Sequence, residues 1–391
     1  MQTEEEIISL GLVMSVLLPR PRAPLTVRVK LKWDRELNLL LAESQFEACY
    51  RMPAAAFVQL EDLLAPTLHR SPHAWVQRGY ISVDNALQLT LRYFAGGSMH
   101  DIRRVAGVSK ASFYRILWLV VDAINAVSEL RLVFPRSPTA REASAAAFKT
   151  LSAEGVFSGC VGCVDGWLCA IRAPRLAETG GVGPQRYYSG HYRCYGVNVQ
   201  ACCDYRCRFT FVNVAQPGSC NDSRAFQQSA LHGEMSEMEN GFYLIGDNAY
   251  ECDTHMLTPF TRVETTDIHR DAYNFYLSQL RIRVEMSFGL LAGRWQIFAR
   301  PLLVPLEKVA SIVQTAARLH NFVQNQRYIG SIGYDIVEEC TRQGLVRRRD
   351  HELISLLGYA PTTTTIETEA NSFMRQSMVG KIKRKNLLRP N

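Results

Sequence analysis

Residues 242–250, FYLIGDNAY, decide how the chain folds. Phe242 to Ile245 are apolar on adjacent as well as alternate positions, between Gly241 and the small-residue turn at Asn248. That is the pattern of a short strand covered on both faces. Open α/β sheets bind their ligands outside the carboxyl ends of such strands, where Asp247 falls. An Asp-Asn pair after a strand is also ordinary turn chemistry, so on this segment alone Asp247 keeps two readings.

Downstream, the period changes to that of a helix over about residues 272–295, where Leu277, Leu280, Val284, Phe288 and Leu291 step by threes and fours. Glu285 stands beside Val284 at the margin of that buried stripe, and Arg281 one turn earlier makes an i,i+4 ion pair the simple alternative for it. A further helix is expected over 306–324. Upstream, strand patterns cover 162–172, 195–203 and 209–215, the last two around a turn at 204–206. The first contains Asp165, which precedes Gly166 and so also fits a bulge or turn. Pro217-Gly218 breaks the pattern, after which Asn221 or Asp222 can cap a helix through Phe226 and Leu231.

The front of the chain reads as helical. Residues 1–33 form an arm interrupted by Pro19, Pro21 and Pro24, and 34–134 form an α-helical unit. Within it a helix ends at Gly96-Gly97, Ser98 and Asp101 resemble a capping box, and Ser109 caps a longer helix. Lys110, Ser112 and Arg115 lie on the polar side of that helix. Helix, short helix, Gly-containing turn and helix is the layout of a helix-turn-helix, and also of a plain helical bundle. The Pro-, Arg- and Ala-rich stretch 135–149 reads as a connector, 150–327 as an α/β unit, and 328–391 as an extension. That extension carries the basic run Arg347, Arg348 and Arg349, a threonine tract at 362–365, and a basic tail with Lys381, Lys383, Arg384 and Lys385.

Composition sets limits on function. The 391 residues are 47% apolar and 21% charged, which makes a folded protein, and the net charge of +7 favours an acidic partner, nucleic acid first. Eleven cysteines in no framework spacing suit free thiols in a reducing compartment. Cys160 and Cys163, with Cys202, Cys203 and Cys207 downstream, lack the second well-spaced pair of a zinc site and read as small hydrophobes in a buried strand. The apolar run 7–18 follows three glutamates rather than basic residues and is too short to span a bilayer, so no membrane association is expected.

Three carboxylates, Asp165, Asp247 and Glu285, thus stand on strand, strand and helix in that order. Hard cations take oxygen ligands, so such a set suits one or two Mg²⁺ or Mn²⁺ ions. Two ions about 3.5–4 Å apart can activate an attacking water or 3′-hydroxyl and stabilise the leaving oxygen.

From 46 to 321 the chain resembles the PIF/Harbinger group of DDE transposases and the domesticated Harbinger transposase-derived nucleases. The matching pieces are FEACYRM at 46–52, the helical stretch 91–116, GCVDG at 162–166 followed by IRAP, and YGVNVQACCDYRCRF at 195–209. PGSCNDSRAF at 217–226, LIGDNAY at 244–250 followed by LTPF, RVEMSFGLLAGRW at 283–295 and RLHNF at 318–322 complete them. The resemblance implies an RNase H-like (retroviral integrase-type) catalytic domain over 150–327, preceded by the α-helical domain with its helix-turn-helix-like segment.

The family's acidic triad maps onto Asp165, Asp247 and Glu285 as catalytic and metal-binding residues, with Asp222 as an auxiliary candidate. Metal-dependent DNA cleavage, and strand transfer in full transposases, are the activities implied. Lys110, Ser112, Arg115, Arg281, Arg283 and Arg294 are the DNA-binding candidates. The basic runs would serve phosphate contact or nuclear import, so a nuclear protein is expected, with the cytoplasm as the alternative. Relatives commonly work with a Myb/SANT-like DNA-binding partner, which the resemblance implies here together with a homodimer. The alternative is a domesticated DNA-binding or regulatory protein that keeps the fold without cleavage. Two departures lie near the triad: Trp167-Leu168 where relatives often have Thr-His, and Asn221 where they often have His.

Overall fold

A computed structural model describes residues 28–69, 81–261, 264–265, 267–330 and 369–390. Most of the N-terminal arm, the Arg347 to Arg349 run and the threonine tract lie outside the described residues.

The front of the chain is helical, with α1 (Trp33–Ala42), α2 (Phe46–Tyr50), α3 (Ala54–His69), α4 (Val83–Phe94), α5 (Met99–Val105) and α6 (Lys110–Ala126). Trp33, Phe46, Tyr50 and Phe57 knit the first three together, with ring centroids 4.8 to 6.4 Å apart. Gly96 ends α4 at φ +95°, a left-handed conformation that favours glycine, and a Cβ there would also stand 2.9 Å from the Gln296 side chain. Ser109 caps α6 by accepting the Ser112 N–H at 3.1 Å. The capping box expected at α5 does not form: Ser98 precedes the helix without a side-chain bond to it. Asp101 is one methylene shorter than the Glu that normally completes such a box.

The stretch 135–149, expected as a connector, is mostly helix instead. α7 (Pro138–Leu151) starts where Ser137 accepts the Ala140 N–H at 3.2 Å and Pro138 takes the first position. Proline is well suited there and the following alanines favour helix. Ala145 and Phe148 are buried, the Ser144 hydroxyl donates to the Val161 carbonyl at 3.0 Å, and Arg141 ion-pairs Glu239 at 2.6 Å. α7 is therefore packed on the sheet.

The sheet contains β1 (Cys160–Ala170), β2 (Tyr188–Ser189), β3 (Cys194–Cys203), β4 (Phe209–Pro217), β5 (Tyr243–Ile245) and β6 (Met256–Leu257). β4, β3 and β1 run antiparallel side by side, and β5 then β6 continue parallel to β1, with β2 paired to the start of β3. Three antiparallel strands followed by two parallel ones, with helices packed against them, make a mixed α/β arrangement compatible with an RNase H-like DDE fold. The expected strand at 242–247 is present as β5, with Tyr243, Leu244 and Ile245 all buried. Cys160, Cys163, Cys202 and Cys203 are buried free thiols.

α8 (Asp222–Gln227) and α9 (Ala230–Ser236) cover one side of the sheet through Phe226, Leu231 and Met235, which pack with Val164, Cys202 and Leu244. The other side meets α10 (Ile268–Arg294), a helix of 27 residues whose Leu277, Leu280, Val284, Phe288 and Leu291 are buried as their spacing predicts. α11 (Leu306–Gly330) lies against β4 and α6, and α12 (Glu369–Arg384) lies along α10.

Candidate active site

Strand register brings the first two carboxylates level. In the parallel pair β1 and β5, Cys163 stands opposite Ile245, so Asp247, two residues further, comes abreast of Asp165. Two residues is one full pleat, and both side chains therefore point to the same face. That face is the one covered by α10: the Cys163 thiol donates to the Leu280 carbonyl at 3.2 Å, and the Trp167 ring lies 5.7 Å from that of Phe288. Asp247 also does the turn's work, accepting the Ala249 N–H at 2.9 Å, so both readings of this residue hold together.

Glu285 comes from α10. It is 9% exposed, against 6% for Asp165 and 7% for Asp247, so all three carboxylates sit largely out of water. Arg281, one turn before Glu285 on the same helix face, forms a close ion pair with it. The ion pair that the spacing offered as the simple alternative is thus made, and it is made inside the acidic cluster.

Burial raises the Asp165 carboxyl well above the usual range, and the charges of Asp247, Glu285 and Asp222 push it further while Arg281 opposes them. Asp247 is raised to about 6, again by burial first, with Arg281 and the Ala249 N–H pulling it down. Burial alone would lower Arg281, but Glu285, Asp165 and Asp247 more than compensate and hold its pKa above the ordinary value. One guanidinium thus answers several crowded carboxylates.

A fourth carboxylate joins from the other helix layer. Asn221, not Asp222, caps α8, accepting the Arg224 N–H at 3.0 Å. Asp222 is therefore released from capping, and its Oδ1 accepts from Asn198 Nδ2 at 2.8 Å and Gln200 Nε2 at 3.0 Å. Gln200 in turn accepts the Tyr250 hydroxyl at 2.8 Å. Gly166 makes the space: a Cβ there would lie 1.9 Å from Asp222 Oδ1. Asn198, Gln200 and Tyr250 escaped the sequence reading, although alternation along β3 puts Asn198 and Gln200 on one face.

The arginine candidates separate by helix phase. Arg283 is two residues, about 200° of helix rotation, from Arg281 and faces the Cys207 side, so it is not beside Glu285. Arg294 is 5% exposed and turns into the interior, its Nη2 donating to Gln324 at 3.2 Å beside His320, which removes it from any surface phosphate contact. Lys110 and Arg115 are exposed on α6, while the Ser112 hydroxyl is half-buried and 2.9 Å from that of Ser109. Trp167, in the departure from the family pattern, also packs edge-on against Phe298 at 5.1 Å.

Do these groups suit a divalent cation? The donor set is all oxygen, crowded and buried, which suits a hard ion in chemistry and in charge. Among the described residues no group of three or more His, Cys, Asp or Glu stands close enough to hold one as placed. The Arg281 guanidinium brings positive charge among these carboxylates.

Comparison with protein families matches residues 164–321 to the DDE superfamily endonuclease family. The match begins one residue before Asp165 and spans Asp222, Asp247 and Glu285. It supports the DDE transposase superfamily and a transposase or nuclease function, in a superfamily that generally uses divalent metals and for which DNA is a plausible substrate. No curated protein and no solved structure matches the chain. No helix among the described residues is long and apolar enough to cross a membrane.

Proposed function

We propose that the chain is a metal-dependent DNA endonuclease or transposase of PIF/Harbinger type. The observation that carries this reading is the β1–β5 register, which sets Asp165 and Asp247 abreast on the face that Glu285 overlooks. In this reading Asp165, Asp247 and Glu285 would hold Mg²⁺ or Mn²⁺, and the ion would supply Lewis-acid chemistry and charge neutralisation for phosphodiester cleavage. The chain's own contribution is positional. The two strand carboxylates are fixed by the sheet and by backbone N–H bonds from Gly166 and Ala249, at 2.8 and 2.9 Å. Burial keeps competing water from the cluster, and Asp222, held by Asn198 and Gln200, adds negative charge from the far side as an auxiliary group.

The remaining assignments belong to the same reading. Residues 34–134 engage DNA through Lys110 and Arg115, 150–327 form the nuclease unit, and 328–391 extend it. The protein works in the nucleus as a homodimer with a Myb/SANT-like partner, and carries out strand transfer as well as cleavage. The test is nicking of DNA that carries the element's terminal repeats, with Mg²⁺ or Mn²⁺ and the partner present. Asp247→Asn should abolish it, and nicking that survives this substitution would overturn the assignment.

The second reading, a DNA-binding regulator without cleavage, draws support from the Arg281–Glu285 pair, which occupies one proposed ligand. The two part on metal binding. If a metal ion and Arg281 answer the same carboxylates, Arg281→Met should be roughly 3 kcal/mol less stable than the native chain without metal, by loss of a nearly buried charge partner. It should then recover more than the native chain does on adding Mn²⁺. Equal metal responses in the two proteins favour the regulator.

A further inference from the structure

Beside the carboxylates lies a surface that the nuclease reading leaves unused. The stretch Pro184–Tyr187 forms a short 3-10 helix that leads into β2, and Arg186 is exposed on it. Arg224, exposed on α8, faces it across the loop 217–221, and the two arginines line a cleft of about 450 Å³ together with Gln216, Ser219, Asn221 and Gln228. Every one of these side chains can donate a hydrogen bond. No carboxylate among the described residues ion-pairs with either guanidinium.

The cleft is built rather than incidental. Gly218 N–H donates to the Gly196 carbonyl at 2.9 Å, Ser219 N–H to the Arg186 carbonyl at 3.1 Å, and Asn198 Nδ2 to the Cys220 carbonyl at 3.1 Å. A Cβ on Gly218 would meet the Gly196 oxygen at 2.6 Å and the Tyr187 oxygen at 2.8 Å, so the loop lies flush on the strands. Asn198 also holds Asp222, which ties the cleft to the acidic cluster.

Two tyrosines stand on the same segment. Tyr188 and Tyr192 are 41% and 40% exposed, so both rings present a face to solvent. The Tyr188 ring is steadied edge-on by Tyr195, 5.3 Å away, and Tyr192 by the His191 ring at 4.7 Å. Burial and then the charges of Asp222, Asp165 and Asp247 raise the Tyr192 phenol to about 12, so it lies within electrostatic reach of the cluster.

We propose that this face cradles an unpaired DNA strand beside the carboxylates, Tyr188 and Tyr192 stacking its bases and the Arg186–Arg224 cleft taking its phosphates. The inference rests on the nuclease reading for its DNA substrate. Guanidinium pairs bind phosphates bidentately, and exposed aromatic rings accept any base by its face. In a duplex the base faces are already stacked on one another. Phosphate contacts alone would serve duplex and single strand alike, so the tyrosines are what favour the unpaired form.

The test uses the full chain in chelator, so that nothing is cut. Fluorescence anisotropy reads binding of a labelled 20-nucleotide single strand and of the matching duplex across a salt series. Tyr188→Ala and Tyr192→Ala should each weaken single-strand binding about tenfold and duplex binding far less. Tyr192→Phe should retain the affinity, which separates stacking from folding damage. The Arg186→Ala, Arg224→Ala double variant should reduce the slope of log K against log salt by about 1.4 on the single strand. Tyrosine variants that bind the single strand as tightly as the native chain, or that lose both DNA forms equally, overturn the inference. Nicking is scored separately with metal: cutting without tyrosine dependence sinks only the cradle, and tyrosine-dependent binding without cutting sinks only the nuclease.

Discussion

At Asp247 the same carboxylate closes a turn and sits 7% exposed against other acids, and the balance is unfavourable to its charge. Its pKa of about 6, against an ordinary 3.8, means that the folded protein holds the proton more tightly than the unfolded chain. Below pH 3.8 both states are protonated and nothing is lost. Between there and pH 6 the unfolded chain ionises first, so stability falls as pH rises, by roughly 3 kcal/mol in all, and is level above. Asp247→Asn keeps the shape without the charge. In chelator it should therefore melt a few degrees above the native protein at pH 7.5, with the gap closing by pH 4. Thermal melts at the two pH values decide this, and a variant that melts lower at pH 7.5 contradicts it. A group that destabilises its own fold is typical of a functional position.

At the scale of elements, the decisive contact is between β1 and the start of α8. Gly166 lets Asp222 lie against the strand, since any Cβ would come 1.9 Å from Oδ1 and 2.8 Å from Gln200 Nε2. Gly166→Ala must push Asp222 out of its bonds with Asn198 and Gln200, at a cost of about 1 to 3 kcal/mol in denaturant unfolding. Nicking should fall with it, because Asp165 is the preceding residue. If unfolding is unchanged, the packing of α8 on β1 is looser than the hydrogen bonds imply. Within α10, by contrast, Arg281 and Glu285 meet simply because four residues make slightly more than one turn.

On the scale of the whole molecule, the described end of the chain returns to the α/β unit. Arg375 of α12 is 4% exposed, donating from Nε to the Cys252 sulfur at 3.1 Å and from Nη2 to Thr258 at 3.4 Å, with its guanidinium 5.0 Å from the Phe260 ring centre. Beyond the helix, the Tyr276 hydroxyl donates to the Leu388 carbonyl at 2.8 Å and Arg389 pairs with Asp271 at 3.4 Å. A segment that reads as a basic tail is thereby part of the fold around the N-terminal half of α10. Arg375→Ala should cost about 2 kcal/mol or more, seen as a lower denaturation midpoint. An unchanged midpoint would mean that α12 adds nothing to the stability of the folded chain.

Local periodicity made β1, β3, β4, β5 and α10 legible, because alternating or continuous apolar runs and a 3.6-residue stripe are written in consecutive residues. The same local signals singled out Asp165, Asp247 and Glu285, and the i,i+4 spacing already offered Arg281 to Glu285. Asn221 and Asp222 are equally good capping residues, so the sequence leaves open which of them caps α8. Their roles were separated only by the partners, Asn198 and Gln200, that β3 presents. The helix over Pro138–Leu151 is hard to see in the sequence for a similar reason, since proline opens a helix as readily as it breaks one. The sequence by itself determined the strands, the long helix and the acids they carry. Tertiary structure decided which acids lie near one another, because strand register, helix phase against the sheet and the burial of these side chains are set by packing between segments far apart in the chain.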